Sequence, residues 1–590
     1  MTYAQTRWTL DALLPSNDQA ATNTALKAYE RRVKKVESWR KQLKPSISAK
    51  SFLALLADFE AMTEQANRLG AFAQLRFAAD TQDQIALTFM SQIEQLFAQA
   101  QNRVLFFSLW WKALDDKNAQ RLMKAAGDLR YWLEEMRHFK PHTLSEAEEK
   151  IINLKDTTGA SALNNLYEMM TNKLAFTLEV DGEKKTLTRD ALMMYVRHPS
   201  SELRAAAYQE LYRVYSEQAP VLAQIYSNLV RDWRNENVGL RKFKSPITVR
   251  NLVNDVPDAV VETLLHVIKK NAGLFQRYFK LKAKWLGVDG QRLRRYDLYA
   301  PLAKSDKEFP YADAVQLVLD TFGEFSPRVG ALAKQVFDDG HVDAEIRPGK
   351  RGGAFCAGVL PGVSPWVLLN YTGRARDAAV VAHEMGHAIH ALLAGHHSVL
   401  TYRSSLPMAE TASVFSEILL TEKLLARESD PAVRRDLLAG TLDDTYATVG
   451  RQGFFALWEK EVHELVNQNK TADEIAARYL KALEEQFGDS IEVNEDFKWE
   501  WVVVPHFFAA PFYVYAYSFG QLLVLALYQM YKREGEAFKP KYLKILSYGG
   551  SEAPARILKE AGIDITSAKF WQGGFDVIAG MIDELEKMEG

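Results

Sequence analysis

The chain has 590 residues, of which 47% are hydrophobic and 25% are charged, and its formal net charge is −2 at pH 7. A chain of this length can bury a large core and can form two or more domains. The near-neutral balance, without a polybasic segment, favours neither nucleic acid nor an anionic membrane surface as a partner. The composition carries no signal for a particular oligomeric state.

Two features of the sequence indicate a cellular compartment. The first residues lack the basic start and apolar run of a signal peptide, and no stretch approaches 18 uninterrupted apolar residues. The single cysteine, Cys356, excludes disulfide bonds within the chain and fits a reducing compartment. We therefore predict a soluble cytoplasmic protein.

The first 170 residues show helical periodicity, with few glycines or prolines inside the periodic segments. An aromatic cluster at residues 106–111 is expected to pack in the helical core rather than to form a binding patch. The clearest helical segments are residues 18–43, 51–69 and 84–114.

Residues 175–187 alternate in polarity around Asp181–Gly182, which predicts a β-hairpin. We place a domain boundary shortly after this hairpin. The predicted N-terminal helical domain covers residues 1–195, and the predicted catalytic domain covers residues 196–590.

Helical periodicity resumes at Thr188 and is interrupted by residues 296–302, which we interpret as an extended linker. Between residues 337 and 371, glycines punctuate short apolar runs, which predicts a small β-sheet with glycine-rich loops. This sheet directly precedes the next helical segment. The fold class predicted from the whole chain is mainly α, with a small sheet next to that helix.

The stretch from Val380 to His390 places two histidines one helical turn apart with a glutamate after the first, an HExxH motif. Residues four apart share a helix face, so His383 and His387 can bind one metal ion. Glu384 is turned about 100° from His383, which suits a base for a water molecule at the metal. An ordinary helix surface is the alternative, but the apolar neighbours predict a largely buried helix, where unpartnered polar groups are costly.

A catalytic zinc ion needs a third protein ligand and an open fourth position. The metzincin pattern, with a third histidine six residues after the second, fails because Leu393 occupies that position. A carboxylate on a second helix is another common solution, and Glu410 and Glu417 lie two turns apart along one face. We predict that Glu410 binds the metal and that Glu417 hydrogen-bonds a ligand imidazole. A solvated helix face is the alternative, but the surrounding residues are too apolar for it.

Residues 499–520, called here the aromatic segment, contain His506 and the three tyrosines Tyr513, Tyr515 and Tyr517. Each buried phenol needs a hydrogen-bond partner. These side chains could therefore supply the neutral donors that a metallopeptidase directs at the oxyanion of its tetrahedral intermediate. An aromatic core is the alternative interpretation for any one tyrosine.

Together these motifs resemble the zinc oligopeptidases of the thimet-oligopeptidase superfamily, in the oligoendopeptidase F branch. The resemblance spans at least residues 200–585 and, more weakly, the N-terminal part. It implies an ellipsoidal, mainly α body with a deep substrate channel, zinc on the channel floor and short unstructured peptides as substrates. The motifs that carry it are His383 to His390, Met408 to Ser413, Tyr296 to Pro301, Pro505 to Tyr517, and the end segment from Gly549-Gly550-Ser551 to Asp564.

The resemblance also implies roles for individual residues. It makes His383, His387 and Glu410 the ligands of one zinc ion per chain, and it makes Glu384 the catalytic base. The sequence reading of the HExxH motif agrees with this assignment.

The same resemblance makes His506 and one or two of Tyr513, Tyr515 and Tyr517 the groups that hold the scissile carbonyl. We favour Tyr517 and then Tyr513, because residues four apart share a face if the segment is helical. Cys356 stands in the glycine-rich loop, where a small polar residue is expected in this branch, so a thiol near the substrate channel is a further expectation.

The sequence thus predicts a zinc-dependent metalloendopeptidase that hydrolyses internal bonds of oligopeptides. We expect the strand from Val367 to Asn370 to bind substrate main chain by β-augmentation, which tolerates most side chains. A zinc carboxypeptidase or dipeptidase on the same scaffold is an alternative, although no single Arg or Lys stands out to bind a substrate terminus. A non-catalytic peptide-binding protein with a structural metal is a second alternative, against which the intact Glu384 argues.

Overall fold

The structure is a computed structural model that describes residues 3–588 except residues 17, 289, 291 and 303–307. It is mainly α-helical, as predicted. In chain order the helices are α1 (Gln19–Glu37), α2 (Ala49–Ala79), α3 (Gln84–Val104), α4 (Phe106–Ala113), α5 (Asp116–Ala125), α6 (Arg130–His138), α7 (Glu146–Thr158), α8 (Ala160–Asn172), α9 (Arg189–Met193), α10 (Ser201–Trp233), α11 (Pro246–Val253), α12 (Asp258–Lys270), α13 (Ala272–Trp285), α14 (Tyr311–Phe325), α15 (Pro327–Asp338), α16 (Ala375–Leu393), α17 (Leu406–Ala409), α18 (Ser413–Arg427), α19 (Pro431–Thr445), α20 (Arg451–Asn467), α21 (Ala472–Phe487), α22 (Pro505–Ala509), α23 (Tyr515–Glu534), α24 (Phe538–Ser547), α25 (Pro554–Glu560) and α26 (Ala568–Lys587). The strands are β1 (Phe176–Val180), β2 (Glu183–Leu187), β3 (Leu293–Arg294), β4 (Val342–Asp343), β5 (Phe355–Ala357), β6 (Trp366–Leu368) and β7 (Ile491–Glu492).

Capping side chains fix where several of these helices begin. Asp83 accepts hydrogen bonds from the backbone N–H groups at the start of α3, at 2.8 and 3.1 Å. Ser145 and Glu148 form a reciprocal capping box at the start of α7. Both devices satisfy N–H groups that have no partner inside the helix, and they set the helix boundary in the local sequence.

The residues group into two compact units, each made of three chain segments. We predict two domains separated by a single boundary between residues 195 and 196. A grouping of residues in space does not test such a boundary in the sequence, so it stays a prediction. The ellipsoidal shape and the deep channel also stay predictions. The first unit comprises Met1–Lys140, Asp306–Arg427 and Met530–Asp564, and the second comprises Pro141–Ser305, Glu428–Gln529 and Ile565–Gly590.

The core of the first unit is rich in aromatic residues from the N-terminal helices. Phe107 and Trp111 of the cluster at residues 106–111 are buried in it, and Phe52 stacks on Trp111 with ring centroids 5.4 Å apart. Trp366 and Leu368 of strand β6 belong to the same core. The small sheet is therefore fixed against the N-terminal helices by shared apolar packing.

The predicted small sheet is confirmed, with the strand order β4-β6-β5. Strand β6 pairs in parallel with β4 and antiparallel with β5, and both β5 and β6 contact α16. The prediction that Val367 to Asn370 binds substrate by β-augmentation is wrong, because both sides of β6 are already paired. Among the described residues β5 pairs only with β6, so β5 is the available edge.

In the second unit the predicted hairpin is confirmed. Strands β1 and β2 pair antiparallel around Asp181 and Gly182, whose φ values of 55° and 81° are the left-handed values that a tight hairpin turn requires. The interpretation of residues 296–302 as an extended linker is wrong. Buried Asp297 forms ion pairs with Arg204 at 2.8 Å and Arg294 at 2.7 Å, so the chain folds inward here to pair a buried charge.

No helix among the described residues is long and apolar enough to cross a lipid bilayer.

Candidate functional site

Helix α16 carries the HExxH motif on a mostly buried helix. Its start is fixed by Asp377, whose carboxylate accepts from the backbone N–H of Arg374 at 3.1 Å and of Thr372 at 2.7 Å. The apolar face packs in the interior, where Met385 and Ala388 are fully buried. The 3.6-residue helical repeat then places the two histidines side by side on another face.

His383, His387 and Glu410 are brought together, as predicted for the metal ligands. Their ligand atoms all lie within 4.8 Å of one another. The Oε2 atom of Glu410 is 3.4 Å from the Nε2 atom of His383 and 3.4 Å from the Nε2 atom of His387. We call these three residues the metal-ligand cluster.

Glu410 does not share a helix with Glu417, contrary to the sequence interpretation. It follows the short helix α17, while α18 begins only at Ser413. The Ser413 hydroxyl donates to the Oε2 atom of Glu410 at 2.6 Å. The carboxylate is thus oriented by a helix break rather than by helical spacing.

Glu417 nevertheless reaches the predicted partner, because its carboxylate contacts the Nδ1 atom of His383. This contact fixes which ring nitrogen of His383 faces Glu410. Burial opposes protonation of His383. The hydrogen bond and charge of Glu417, together with the charges of Glu410 and Glu384, favour protonation more strongly, and the pKa of His383 is raised to about 9. Burial lowers the pKa of His387.

Glu384 lies beside the cluster with only 6% of its surface exposed. Its Oε2 atom is buried and has no hydrogen-bond partner among the residues that the structure describes. Burial raises the pKa of Glu384 to about 7. The charges of Glu410 and Glu417 act in the same direction, and the charge of His383 acts in the opposite one. A carboxylate near its own pKa at neutral pH can both accept and return a proton.

Glu384 and both histidines line a cavity of about 810 Å³ within the first unit. Helices α2 and α3 contribute Asn67 and Phe97 to its wall. Strand β5 contributes Cys356, so the thiol that the sequence placed near the substrate does line this cavity. His390 also lines it, and burial lowers the pKa of His390 to about 4, so this imidazole is neutral at neutral pH.

The sequence reasoning missed the role of Gly386, the fourth residue of the motif. A Cβ atom at Gly386 would lie 2.6 Å from the carbonyl oxygen of Ala412 and 2.6 Å from the Cα atom of Ser413. Glycine therefore lets the backbone after Glu410 pack directly on α16. A glycine inside an otherwise apolar helix was the available signal for such a close approach.

In the second unit His506, Tyr513 and Tyr517 form one aromatic cluster. The Tyr517 hydroxyl is 3.2 Å from the Nε2 atom of His506, and the Tyr513 and Tyr517 rings meet edge to face with centroids 5.4 Å apart. Burial and the charge of Arg451 lower the pKa of His506. A neutral imidazole and two partly exposed phenols can donate hydrogen bonds without adding charge.

Tyr515 has a different environment from the other two tyrosines. It is fully buried, and its hydroxyl accepts a hydrogen bond from the Asn254 amide at 2.9 Å. This tyrosine therefore packs in the core, which is the alternative that the sequence left open for any one tyrosine.

The stretch just before these tyrosines is held by residues from other helices. Phe512 has φ of 58°, which is costly for a residue with a side chain, and its N–H donates to the Glu459 carboxylate at 2.9 Å. Arg250 donates to the carbonyl of Pro511 at 3.1 Å. Helix α23 begins only at Tyr515, so Tyr513 approaches Tyr517 through this turn and not along a helix face.

Two protein-family models match this chain. Residues 193–577 match the model described as Peptidase family M3, and residues 110–176 match the model described as Oligopeptidase F. The first match alone covers more than half of the chain.

Curated relatives align over nearly the whole length. Oligopeptidase PepF of Bacillus subtilis (strain 168) is 26% identical, and the alignment covers 99% of this chain and 87% of that protein. The Oligoendopeptidase F homolog of Borreliella burgdorferi is 25% identical over 94% of this chain and 94% of that protein.

Solved structures share the fold. A peptidase from Chlamydophila abortus superposes with a TM-score of 0.87 at 24% identity, covering 99% of this chain and 98% of that one. Oligoendopeptidase-F from Enterococcus faecium superposes with a TM-score of 0.72 at 23% identity, covering 95% of this chain and 98% of that one. The mainly α architecture is therefore common to all three.

Proposed function

The chain belongs to peptidase family M3, and on that premise we propose that it is a zinc-dependent oligoendopeptidase with one zinc ion per chain, bound by His383, His387 and Glu410. Membership of the family makes the chain a metallopeptidase that hydrolyses peptides. The choice of zinc and the role of each residue are the parts that we propose.

The geometry of the metal-ligand cluster is the observation that carries the proposal. Ligand atoms at the corners of a tetrahedron around zinc, each about 2.0–2.1 Å from the ion, lie about 3.3–3.4 Å apart. The two distances from Glu410 Oε2 to the histidine Nε2 atoms are both 3.4 Å. Two imidazoles and one carboxylate are also the donor set of many catalytic zinc sites, which keep a fourth position open.

Zinc bound there would supply Lewis-acid polarisation of the peptide carbonyl and a lower pKa for a water molecule at the site. Glu384 would take a proton from a water molecule at its Oε2 atom and pass it to the leaving amine, since this atom has no hydrogen-bond partner among the described residues. Glu417 holds the His383 ring in the orientation that presents its Nε2 atom to the metal.

We assign the oxyanion donors to His506, Tyr517 and Tyr513. Their mutual contacts and partial exposure support a polar group prepared to donate hydrogen bonds. Tyr515 is excluded from this role because its side chain is fully buried in the core.

The substrate main chain is proposed to pair with the free edge of β5, which replaces the earlier assignment to β6. β5 lines the same cavity as Glu384. Backbone pairing along an edge strand holds an extended peptide with little regard to most side chains. This arrangement supports short unstructured peptides as substrates. The similar proteins of Bacillus subtilis and Enterococcus faecium are named an oligopeptidase and an oligoendopeptidase. The cytoplasmic location stays a prediction.

An internally quenched peptide blocked at both ends tests the proposal. The zinc-loaded chain is expected to cleave it at an internal bond, to lose activity with a chelator and to regain it with zinc. Product masses locate the bond. Cleavage only of peptides with a free terminus would favour the carboxypeptidase or dipeptidase alternative, and binding without cleavage would favour the non-catalytic one.

A further inference from the structure

The cavity beside Glu384 contains positive charge that the proposed mechanism does not use. Arg351 and Arg403 line it, whereas Glu384 is the only acidic residue among the described residues of its lining. Within the part of the chain that the structure describes, neither guanidinium forms an ion pair with a carboxylate.

Arg403 is fixed from behind by the glycine motif at residues 549–550. The N–H of Gly550 donates to the carbonyl of Thr401 at 2.8 Å, and a Cβ atom at Gly550 would lie 2.2 Å from the carbonyl oxygen of Arg403. The Arg403 guanidinium donates to the carbonyl of Gly358 at 3.0 Å. Gly358 directly follows β5, so Arg403 lies at the C-terminal end of the edge strand.

Arg351 is fixed at the opposite end of the same strand. Its N–H donates to the carbonyl of Ala78 at 2.9 Å, and its carbonyl accepts from the Asn370 amide at 3.0 Å. Its guanidinium lies over the ring of Phe355, the first residue of β5, at 5.6 Å. Each backbone is thus anchored, while each guanidinium keeps donors for a ligand, because a guanidinium has five N–H groups.

We propose that Arg351 and Arg403 are specificity-determining residues that bind carboxylates of a peptide lying along β5. The strand and the residue after it extend about 10 Å, the length of three residue steps. A peptide paired with this edge would therefore have Arg351 near one end of its paired residues and Arg403 near the other end. Arginine binds a carboxylate through two parallel charge-assisted hydrogen bonds, which makes it selective for that group.

This inference rests on the proposed peptidase function and refines it. The carboxylate can be the side chain of Asp or Glu within the peptide or a free C-terminus, since both present the same planar group. A peptide series separates the two sources. It contains a neutral peptide blocked at both ends, variants with a single Glu at each position on either side of the cleaved bond, and a neutral peptide with a free C-terminal carboxylate.

Cleavage of this series is measured as kcat/KM for the zinc-loaded wild type and for Arg351→Gln, Arg403→Gln and Arg403→Lys. Each Arg→Gln change is expected to lower the ratio of acidic to neutral kcat/KM by about 10–100-fold, and only for carboxylates on its own side of the bond. Arg403→Lys is expected to keep part of the ratio. Arg31→Gln is the matched control, because it makes the same charge change on the exposed surface of α1. It is expected to leave the ratio of acidic to neutral kcat/KM unchanged.

A ratio that falls for Glu peptides identifies side-chain carboxylates as the ligand, and one that falls for the free C-terminus identifies the terminal carboxylate. Normal cleavage with an unchanged ratio, or an equal effect of Arg31→Gln, contradicts this proposal alone. A zinc-loaded wild type that cleaves no peptide contradicts the proposed function and this inference with it. Melting temperatures measured alongside separate a lost contact from a lost fold.

Discussion

The metal-ligand cluster in the first unit and the aromatic segment in the second are held in place in different ways. The cluster takes both histidines from one regular helix, α16, and its carboxylate from the backbone that packs on Gly386. The aromatic segment reaches its arrangement through a turn at Phe512, a residue with φ of 58° that Glu459 holds from another helix.

This difference predicts which changes each region tolerates. A site carried by a helix depends on spacing within a few residues and on close packing against that helix. A segment held by distant side chains depends on residues of other helices that contact its backbone, such as Glu459 and Arg250. Substitutions at the two regions should therefore separate chemistry, metal binding and stability.

Glu384→Gln is the largest expected effect and tests whether the helix-borne region carries the chemistry. The amide keeps the shape of the side chain but removes the base, so kcat should fall by about 10²–10⁴-fold or more while zinc is retained. Glu94→Gln, at an exposed position of α3, is the matched control. Comparable turnover of Glu384→Gln at full zinc content would rule out Glu384 as the base.

Tyr517→Phe and Tyr513→Phe test the aromatic segment. An oxyanion donor acts mainly in the transition state, so its loss should lower kcat by about 10²–10³-fold and leave KM nearly unchanged. Tyr515→Phe is the control. It leaves the Asn254 amide without its hydrogen-bond acceptor, so it should cost about 1 kcal/mol of stability but leave turnover per folded molecule unchanged. If neither partly exposed tyrosine affects kcat, His506 becomes the first candidate donor.

Glu410→Ala and Glu417→Ala separate the ligand from the residue that orients a ligand. Removing Glu417 should weaken zinc binding by about 10–100-fold, and removing Glu410 should weaken it more. Glu417→Gln should lose less than Glu417→Ala, since an amide oxygen can still accept from the Nδ1–H of His383. Competition with a zinc chelator ranks the variants, and the reverse order would mean that the two roles are exchanged.

Of the four groups of substitutions, Gly386→Ala should have the smallest effect, and we expect it in the free energy of unfolding. Its Cβ would clash with backbone at 2.6 Å, so the free energy of unfolding should fall by about 1–3 kcal/mol. Gly440→Ala lies in helix α19, where no atom of the described residues is within 4 Å of the added Cβ atom, and this variant should instead gain about 0.4–1 kcal/mol of stability. Urea unfolding of both variants measures the contrast, and equal stability of the two would argue against close packing at Gly386.

The sequence was sufficient where function follows local spacing. His383, Glu384 and His387 lie on one helix, so a period of 3.6 residues predicts their geometry without further knowledge. The hairpin at Asp181–Gly182 and the sheet before α16 follow from turn residues and apolar runs in the same way. Glu410 was predicted as the third ligand because it is a carboxylate on a second helical segment, but the helix face that it was expected to share with Glu417 does not exist.

The rest depends on contacts between residues far apart in the chain. The break between Glu410 and α18 reflects packing on Gly386, and the order β4-β6-β5 cannot be read from strands of two or three residues. The environment of Tyr515 depends on Asn254, more than 250 positions earlier. No local pattern encodes such partners.

Zinc-edge X-ray absorption of the zinc-loaded chain is the decisive measurement for the proposed metal site, because it reports the ligands themselves. We expect one zinc ion per chain, with two imidazole nitrogens at about 2.0–2.1 Å and a carboxylate oxygen at about 2.0–2.2 Å. A shell without imidazole, or one with a sulfur ligand from Cys356, would contradict this assignment.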